Sequence, residues 1–406
     1  PYPVWRLLPL LPYMTRCWGK KSEVMIVDSK YYRSKIDDID QQLVNLFAQR
    51  MAISAEIAGY KKENNIPVFD PKREREKLIA VTEQSPDEIK DYTSLLYSML
   101  FELSRSYQNR LIGTDTDLTY KIKNAVEKTE KLFPEFASVA CQGVDGSNSQ
   151  IACDKLFHNA NIMFFSSFDA VFTAIEKGLC RYGVIPVENS GAGSVNSVYD
   201  LMMHHKFSIV RSVRLKIDHN LLAKPGTKIS EIREIYSHEQ AISQCAAFLH
   251  SLDNVKIIPC ENTAAAAKMV AESDRKDIAA LASWPCIKYY GLECLKASVQ
   301  DKDNNYTRFI CISKDLEIYP GADRTSLMLT LPHKPGALYK LLARLYAAGI
   351  NLNKLESRPL SNKEFEFMFY FDIDAPVYSP KLQQLIGELP DACESFSYLG
   401  SYSEII

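Results

Sequence analysis

The sequence predicts a multidomain chain: an all-α amino-terminal third, an α/β middle and a small α+β module at the carboxyl end. Three observations carry that expectation. Apolar residues recur at helical spacing from Ser29 to about Leu111. From Val139 to about Ile312, short apolar runs such as Ala160 to Phe165, Tyr182 to Val187 and Ile278 to Ala282 alternate with Ala-rich helical stretches. From Arg324 onward the order reads β-α-β-β-α-β. A length of 406 residues suits two or three domains at roughly 150 residues each.

In chain order, residues 1–27 read as an extension without a role of its own. Val4 to Tyr13 is apolar but broken by Pro9 and Pro12, unlike the clean core of a signal peptide, and Met14 or Met25 would serve as a start. Residues 28–113 form the helical domain: a long periodic segment from about Ser29 to Asn64, a break at Pro67, a helix from Pro71, a break at Pro86 and a helix to about Leu111. Residues 114–136, poor in apolar side chains and rich in Lys and Glu, read as a linker. Residues 137–313 hold the α/β domain. Residues 325–402 hold the last module: Ser326 to Leu331 alternates, a helix follows Pro335, strand-like runs cover Leu352 to Arg358 and Phe365 to Phe371, and a helix near Pro380 precedes a final strand. That order is ferredoxin-like.

Composition excludes several classes. The chain is 46% hydrophobic and 24% charged, as in an ordinary soluble globular protein. Lys plus Arg is 48 against 50 for Asp plus Glu, so net charge suggests affinity for neither nucleic acid nor an acidic membrane. No run of about 18 apolar residues is present to form an ordinary transmembrane helix. Ten scattered cysteines without a C-x-x-C pair, and seven histidines without H-E-x-x-H spacing, argue against a disulfide scaffold and a metal site. A reducing cytoplasm fits best, and no cofactor is expected.

The helical domain carries cations on its apolar face. In heptads, Arg33, Asp40, Phe47, Ser54 and Lys61 share one position, Ile36, Leu43, Arg50 and Ile57 a second, and Ile39, Leu46 and Ile53 a third, so these tracks should form the buried stripe. A buried cation needs a fixed counter-charge. Arg33, Arg50 and Lys61 therefore snorkel at the rim, or pair with Asp40 and Glu56, or await an anionic guest. Asp70 followed by Pro71 is also a good helix start. Ser104 and Gln108, one turn apart among Leu96, Met99, Leu100 and Leu103, would equally suit an inter-helix hydrogen bond.

Arg33, Arg50, Lys61, the run Asp70-Pro71-Lys72-Arg73-Glu74, and then Ser104 and Gln108 resemble, in register, the all-helical chorismate mutase family. The resemblance implies an intertwined pair of chains in which Arg33 serves the neighbour's site. It also implies substrate contacts from Arg33, Arg50, Lys61, Asp70, Arg73, Glu74, Ser104 and Gln108. Chorismate is a dianion whose rearrangement to prephenate needs no nucleophile, base or metal. Arginine forks suit its carboxylates, Lys61 and Gln108 would donate to the breaking ether oxygen, and Asp70 and Glu74 would hold the ring hydroxyl.

In the middle domain, small polar residues mark several helix starts. Ser237-His238-Glu239-Gln240 has a capping-box pattern, Asn262-Thr263 precedes Ala264 to Ala267, and Gly146-Ser147 opens an amphipathic stretch. Each start either caps its own helix or offers N–H groups to an anion. Gly191-Ala192-Gly193 is too short for a dinucleotide fingerprint. Together with Pro186-Val187-Glu188-Asn189-Ser190, Gln244 and Asn305-Tyr306-Thr307-Arg308-Phe309, these segments resemble prephenate dehydratase, with Asn148 standing where that family usually has an aromatic residue. The resemblance implies two α/β lobes, reminiscent of periplasmic binding proteins, with the site between them. It implies Thr307 as the catalytic hydroxyl, Arg308 on a substrate carboxylate, and Asn189, Ser237 and Gln244 positioning the substrate.

At the carboxyl end, Gly336-Ala337-Leu338 and Glu356-Ser357-Arg358-Pro359 resemble the phenylalanine-binding signatures of an ACT regulatory domain, with Tyr339 where Val is usual. On the residues alone, Gly336 either eases a turn or allows close approach of a ligand. The combined expectation is a bifunctional enzyme of phenylalanine synthesis, dimeric or larger, acting on chorismate and prephenate and inhibited by phenylalanine. The alternatives are a dehydratase preferring arogenate, and a non-catalytic ligand sensor, which would need neither Thr307 nor the full set of cations.

Overall fold

The computed structural model describes residues 21–113, 116–360 and 366–406, with side chains from residue 29 on. The expected extension lies outside the described residues up to residue 20, and its remainder is already helical backbone. The chain divides at Gly113 into two compact units. Among the described residues no helix is long and apolar enough to cross a membrane.

The first unit contains α1 (Lys21–Glu63), α2 (Pro71–Glu83) and α3 (Lys90–Ile112). Asp70, in extended conformation, caps α2 by accepting from the Arg73 N–H at 2.9 Å, and Pro71 follows with the φ a first turn needs. The expected buried stripe is not buried within one chain. Ile36, Ile39, Leu43, Leu46, Phe47, Ile53 and Ile57 are 39 to 61% exposed, whereas the polar Ser54, Glu102, Ser104 and Gln108 are buried. Length explains the reversal: at 1.5 Å per residue, α1 spans about 65 Å and α3 only about 35 Å, so one chain cannot cover its own longest helix.

The second unit opens with α4 (Asp117–Lys128), within the segment expected to be a linker. The Thr116 and Thr119 side chains form a reciprocal capping box. Ile122 and Ala125 are buried, and Leu118 and Val126 pack beside them on Leu329, Leu385 and Ile318 of the carboxyl-terminal core. Spacing of i, i+4, i+7 and i+8 built a sealing helix in a stretch whose composition suggests solvation.

A first lobe follows: β1 (Phe136–Gln142), α5 (Asn148–Leu156), β2 (Asn159–Phe165), α6 (Phe168–Glu176), β3 (Tyr182–Asn189), β4 (Gly193–Ser194), α7 (Asn196–Met202) and β5 (Ser208–Lys216). The chain crosses to a second lobe of β6 (Asn220–Ala223), β7 (Glu234–Ser237), α8 (Glu239–Gln244), α9 (Ala246–His250), β8 (Lys256–Pro259), α10 (Thr263–Glu272), β9 (Ile278–Ala282), α11 (Cys286–Tyr290) and β10 (Glu293–Lys296). It returns as β11 (Tyr306–Ser313), antiparallel between β3 and β5. Ser147 and Asn262 cap α5 and α10 as their patterns predict.

The carboxyl-terminal module runs β12 (Arg324–Thr330), α12 (Ala337–Ala348), β13 (Asn351–Pro359), β14 (Phe367–Asp374), α13 (Pro380–Glu388) and β15 (Ser395–Tyr402), with sheet order β13-β14-β12-β15. It is fused to the first lobe. A last strand, β16 (Glu404–Ile405), pairs parallel with β5, giving the sheet β16-β5-β11-β3-β1-β2 with β4 beside β3. Met368, Tyr370, Leu399 and Tyr402 share a core with Val171, Phe172, Ile185 and Tyr199. At Gly400 (φ 143°) a Cβ would collide with the Ile209 carbonyl, so β15 approaches β5 as only glycine permits.

Candidate active sites

In the helical unit, residues from three helices converge on a polar seam. Arg50 Nη1 donates to the Leu100 carbonyl at 3.2 Å and to the Ser104 hydroxyl. Burial lowers the Arg50 pKa, only partly offset by Tyr97 and Glu74. Lys61 Nζ donates to the Val68 carbonyl at 2.6 Å. The buried Gln108 has an Oε1 with no hydrogen-bond partner among the described residues, a cost that a further polar group would relieve. Sequence reasoning missed Arg105, which ion-pairs with Glu74 and Glu102 and lies over the Phe69 ring at 5.0 Å. Burial alone would lower its pKa, but the two acids raise it overall. Glu74 is therefore already engaged, and Asp70, exposed beside the equally exposed Arg73, serves as the cap of α2. Arg33 is also exposed. Seventeen residues of helix separate it from Arg50, roughly 25 Å along the axis, so the two cannot grip one small molecule within a chain.

In the second unit, polar side chains gather where the two lobes join. The returning strand β11 brings Thr307 opposite Asn189 of β3. Asn189 Nδ2 donates to Thr307 Oγ1 at 2.9 Å and to Asn305 Oδ1 at 2.8 Å, while its Oδ1 accepts the N–H groups of Gly191 and Ala192, both at 2.9 Å. From the second lobe, Gln244 Oε1 accepts from Asn305 Nδ2 at 2.9 Å and meets His219 Nε2 at 2.9 Å. Burial holds His219 below its ordinary pKa despite the hydrogen bond to Gln244 and the charge of Asp218, so its ring is neutral at pH 7. Because Asn189 donates to the Thr307 oxygen, the threonine keeps its own O–H free to donate outward.

Three of the five residues expected here, Asn189, Gln244 and Thr307, come together. Ser237 does not take the expected place: it is fully buried, its hydroxyl donates to the Leu281 carbonyl at 2.8 Å, and the cap of α8 is His238, one residue later. Arg308 also departs from expectation. Successive side chains of a strand face opposite ways, so Arg308 points away from Thr307. It is 4% exposed and pairs with Glu188 at 2.7 Å and with Asp372 of β14, and is not available to a substrate carboxylate. Asn305 and His219 were missed as site residues. Asn305 lies just ahead of β11, two residues before Thr307 and within the same short motif, a signal that was readable; nothing in the sequence marked His219.

In the carboxyl-terminal module, Gly336 begins α12 in the left-handed region (φ 81°), and Ala337 and Leu338 pack on the module's core. Glu356 accepts from the Ser194 hydroxyl, and Arg358 grips Asp200 with two hydrogen bonds of 2.8 and 2.9 Å. Ser357 between them is exposed. The segment is thus held against β4 and α7 of the first lobe.

Comparison with known proteins agrees with this division. A family profile for chorismate mutase type II matches residues 32–109, and one for prephenate dehydratase matches residues 139–317. The chain is 32% identical over 378 residues to the bifunctional chorismate mutase/prephenate dehydratase of Escherichia coli (strain K12), covering 91% of this chain and 95% of that one. It is 37% identical over 281 residues to arogenate dehydratase 2 of Petunia hybrida, covering 65% of this chain and 71% of the relative. Among solved structures, the prephenate dehydratase of Arthrobacter aurescens in complex with L-Phe superposes with a TM-score of 0.60 at 26% identity, covering 66% of this chain and 90% of that one. The chain belongs to the bifunctional chorismate mutase/prephenate dehydratase family: it is an enzyme that joins an isomerase domain to a lyase domain.

Proposed function

We propose that the two activities of this family run in the two sites described above, under feedback control by phenylalanine. In the helical unit, Arg50 and Lys61 bind the chorismate dianion, with Ser104 supporting Arg50. Lys61 and Gln108 donate to the ether oxygen as its bond breaks, and Arg33 arrives from a second copy of the chain. Asp70, Arg73 and Glu74 line the rim, Glu74 acting together with Arg105. The exposed apolar face of α1 supports a homodimer, because a patch of that length is rare on a monomer.

In the cleft, prephenate loses its ring hydroxyl and its ring carboxylate. Electrons of the carbon–carboxylate bond flow into the ring as the carbon–oxygen bond breaks, carbon dioxide departs, and the released hydroxide takes a proton from solvent, leaving water and phenylpyruvate. Thr307 donates its free O–H to the departing oxygen, Asn189 holds the threonine, and Gln244 and Asn305 tie the lobes around the substrate. Carboxylate recognition falls to groups other than Arg308. The observation that carries this reading is the Asn189–Thr307 hydrogen bond at the junction of the lobes.

The carboxyl-terminal module has the strand order of a ferredoxin-like ACT domain, with Gly336, Ala337 and Leu338 and the Glu356-Ser357-Arg358 segment as the phenylalanine site. The domains then run over residues 28–113, 137–313 and 325–402, in a cytoplasmic protein. A coupled assay from chorismate, with and without phenylalanine, tests the whole reading: prephenate and then phenylpyruvate should form, and phenylalanine should slow the second step. Relative turnover of prephenate and arogenate decides between those substrates.

A further inference from the structure

The displaced Arg308 points to a second role for the carboxyl-terminal module. Two neighbouring rungs of the β3–β11 ladder pair Thr307 with Asn189 and Arg308 with Glu188, followed at once by a register shift. The first rung turns its side chains to the cleft, and the second turns them to the opposite face, where the carboxyl-terminal sheet packs. There Glu188 is held at both oxygens: Arg308 Nε lies 2.7 Å from Oε1, and Lys354 Nζ of β13 lies 2.7 Å from Oε2. Lys354 also donates to Ser194 at 2.9 Å. Asp372 of β14, 1% exposed, takes the Arg308 Nη1 end, and its Oδ1 accepts from the hydroxyls of Ser326, Tyr370 and Tyr402, the tyrosines at 3.1 and 3.0 Å. Every charge in this cluster depends on a neighbour from another element, because a buried ion left unpaired is strongly destabilising.

We propose that Lys354 and Asp372 are positioning residues for the dehydratase site. They fix Glu188 and Arg308, and through the shared backbone of the two rungs they fix the Asn189–Thr307 pair one residue away. Lys354 is two residues before Glu356, in the strand that also binds Ser194 and Asp200. A ligand that moves this strand therefore reaches the catalytic hydroxyl through Glu188. The first lobe lacks this support unless the carboxyl-terminal module is docked.

The proposal rests on the cleft being the prephenate site, and its test separates the two. In the full chain, Lys354→Met and Asp372→Asn are compared with the conservative Lys354→Arg and Asp372→Glu, and both reactions are assayed in each preparation. Lys354→Met should lower dehydratase kcat by roughly ten- to a hundredfold with KM changed far less, leave mutase turnover intact and blunt the response to phenylalanine; Lys354→Arg should recover most of the loss. If Asp372→Asn does not fold, Lys354→Met at the cluster's edge carries the test alone. Unchanged dehydratase kcat in Lys354→Met overturns the positioning role, as does an equal loss in Lys354→Arg. Absence of prephenate turnover in the unaltered chain overturns the reading of the cleft and the proposal with it.

Discussion

The helical unit and the two-lobed unit treat apolar surface in opposite ways. Along α1 the described leucines and isoleucines face outward at 41 to 61% exposure, whereas in the first lobe Val139, Ile185 and Ile310 are fully buried; each unit also buries polar groups, Ser104 and Gln108 in the one and Asn189 and Asn305 in the other. The difference follows from layering. Strands β3 and β11 have neighbours on both edges and packing on both faces, so their core closes within one chain. A helix of about 65 Å that packs on one of about 35 Å cannot close. The proposed lyase residues accordingly lie within one closed core, whereas the apolar face of α1 stays exposed in the single chain.

Substitutions that act on one unit and spare the other sharpen this comparison. The largest effect is expected at Thr307: Thr307→Ala should reduce phenylpyruvate formation by roughly 10²- to 10⁴-fold while chorismate is still converted to prephenate, both followed in one assay. Equal loss of both reactions would mean that the sites are not separate. Next, Arg50→Ala should cut mutase turnover by roughly 10²- to 10³-fold and leave prephenate consumption unchanged. Smaller again, Leu46→Lys on the exposed face of α1 should weaken self-association at least about tenfold in sedimentation, because a buried leucine contributes about 1.5–3 kcal/mol. Mutase activity should then depend on protein concentration and dehydratase activity should not. An assembly indifferent to Leu46→Lys would leave that face without a partner.

The smallest effect concerns pH. His219 is buried neutral, with its folded pKa below the ordinary 6.5. A depressed folded value means that the unfolded chain takes up the proton first. Its contribution to stability is thus complete above pH 6.5 and is lost as pH falls below it. Thermal unfolding of the second unit should steepen its decline with acid below pH 6.5, and His219→Gln should flatten that decline.

Much of this was readable from residue order. Three helices, with breaks at Pro67 and near Pro86, follow from periodicity and from where proline cannot continue a helix. Arg50, Lys61, Ser104 and Gln108 were recognisable as polar groups on a greasy face, and of these Arg50 and Ser104 meet. Thr307, Asn189 and Gln244 likewise meet although they are far apart in the chain. What failed did so for local reasons. Arg308 was expected on a substrate carboxylate because the family resemblance implied it, although strand alternation alone turns it away from Thr307. Ser237 lost the cap to His238 because it ends β7 and is buried before α8 begins. The 114–136 segment was judged by its lysines and glutamates rather than by the spacing of Leu118, Ile122, Ala125 and Val126. Glu188, Arg308, Lys354 and Asp372 come from four separate strands, and no local pattern marks such a cluster.

The division of the mutase site between chains has a direct test. Chains carrying Arg33→Ala and Arg50→Ala, each nearly inactive alone, are co-expressed with different tags, and the mixed dimer is isolated. One of its two sites then combines an intact Arg50 with the neighbour's intact Arg33, so mutase turnover should return to about half that of the unaltered dimer. Turnover no higher than that of either variant alone would place both arginines in the same chain's site and contradict the account.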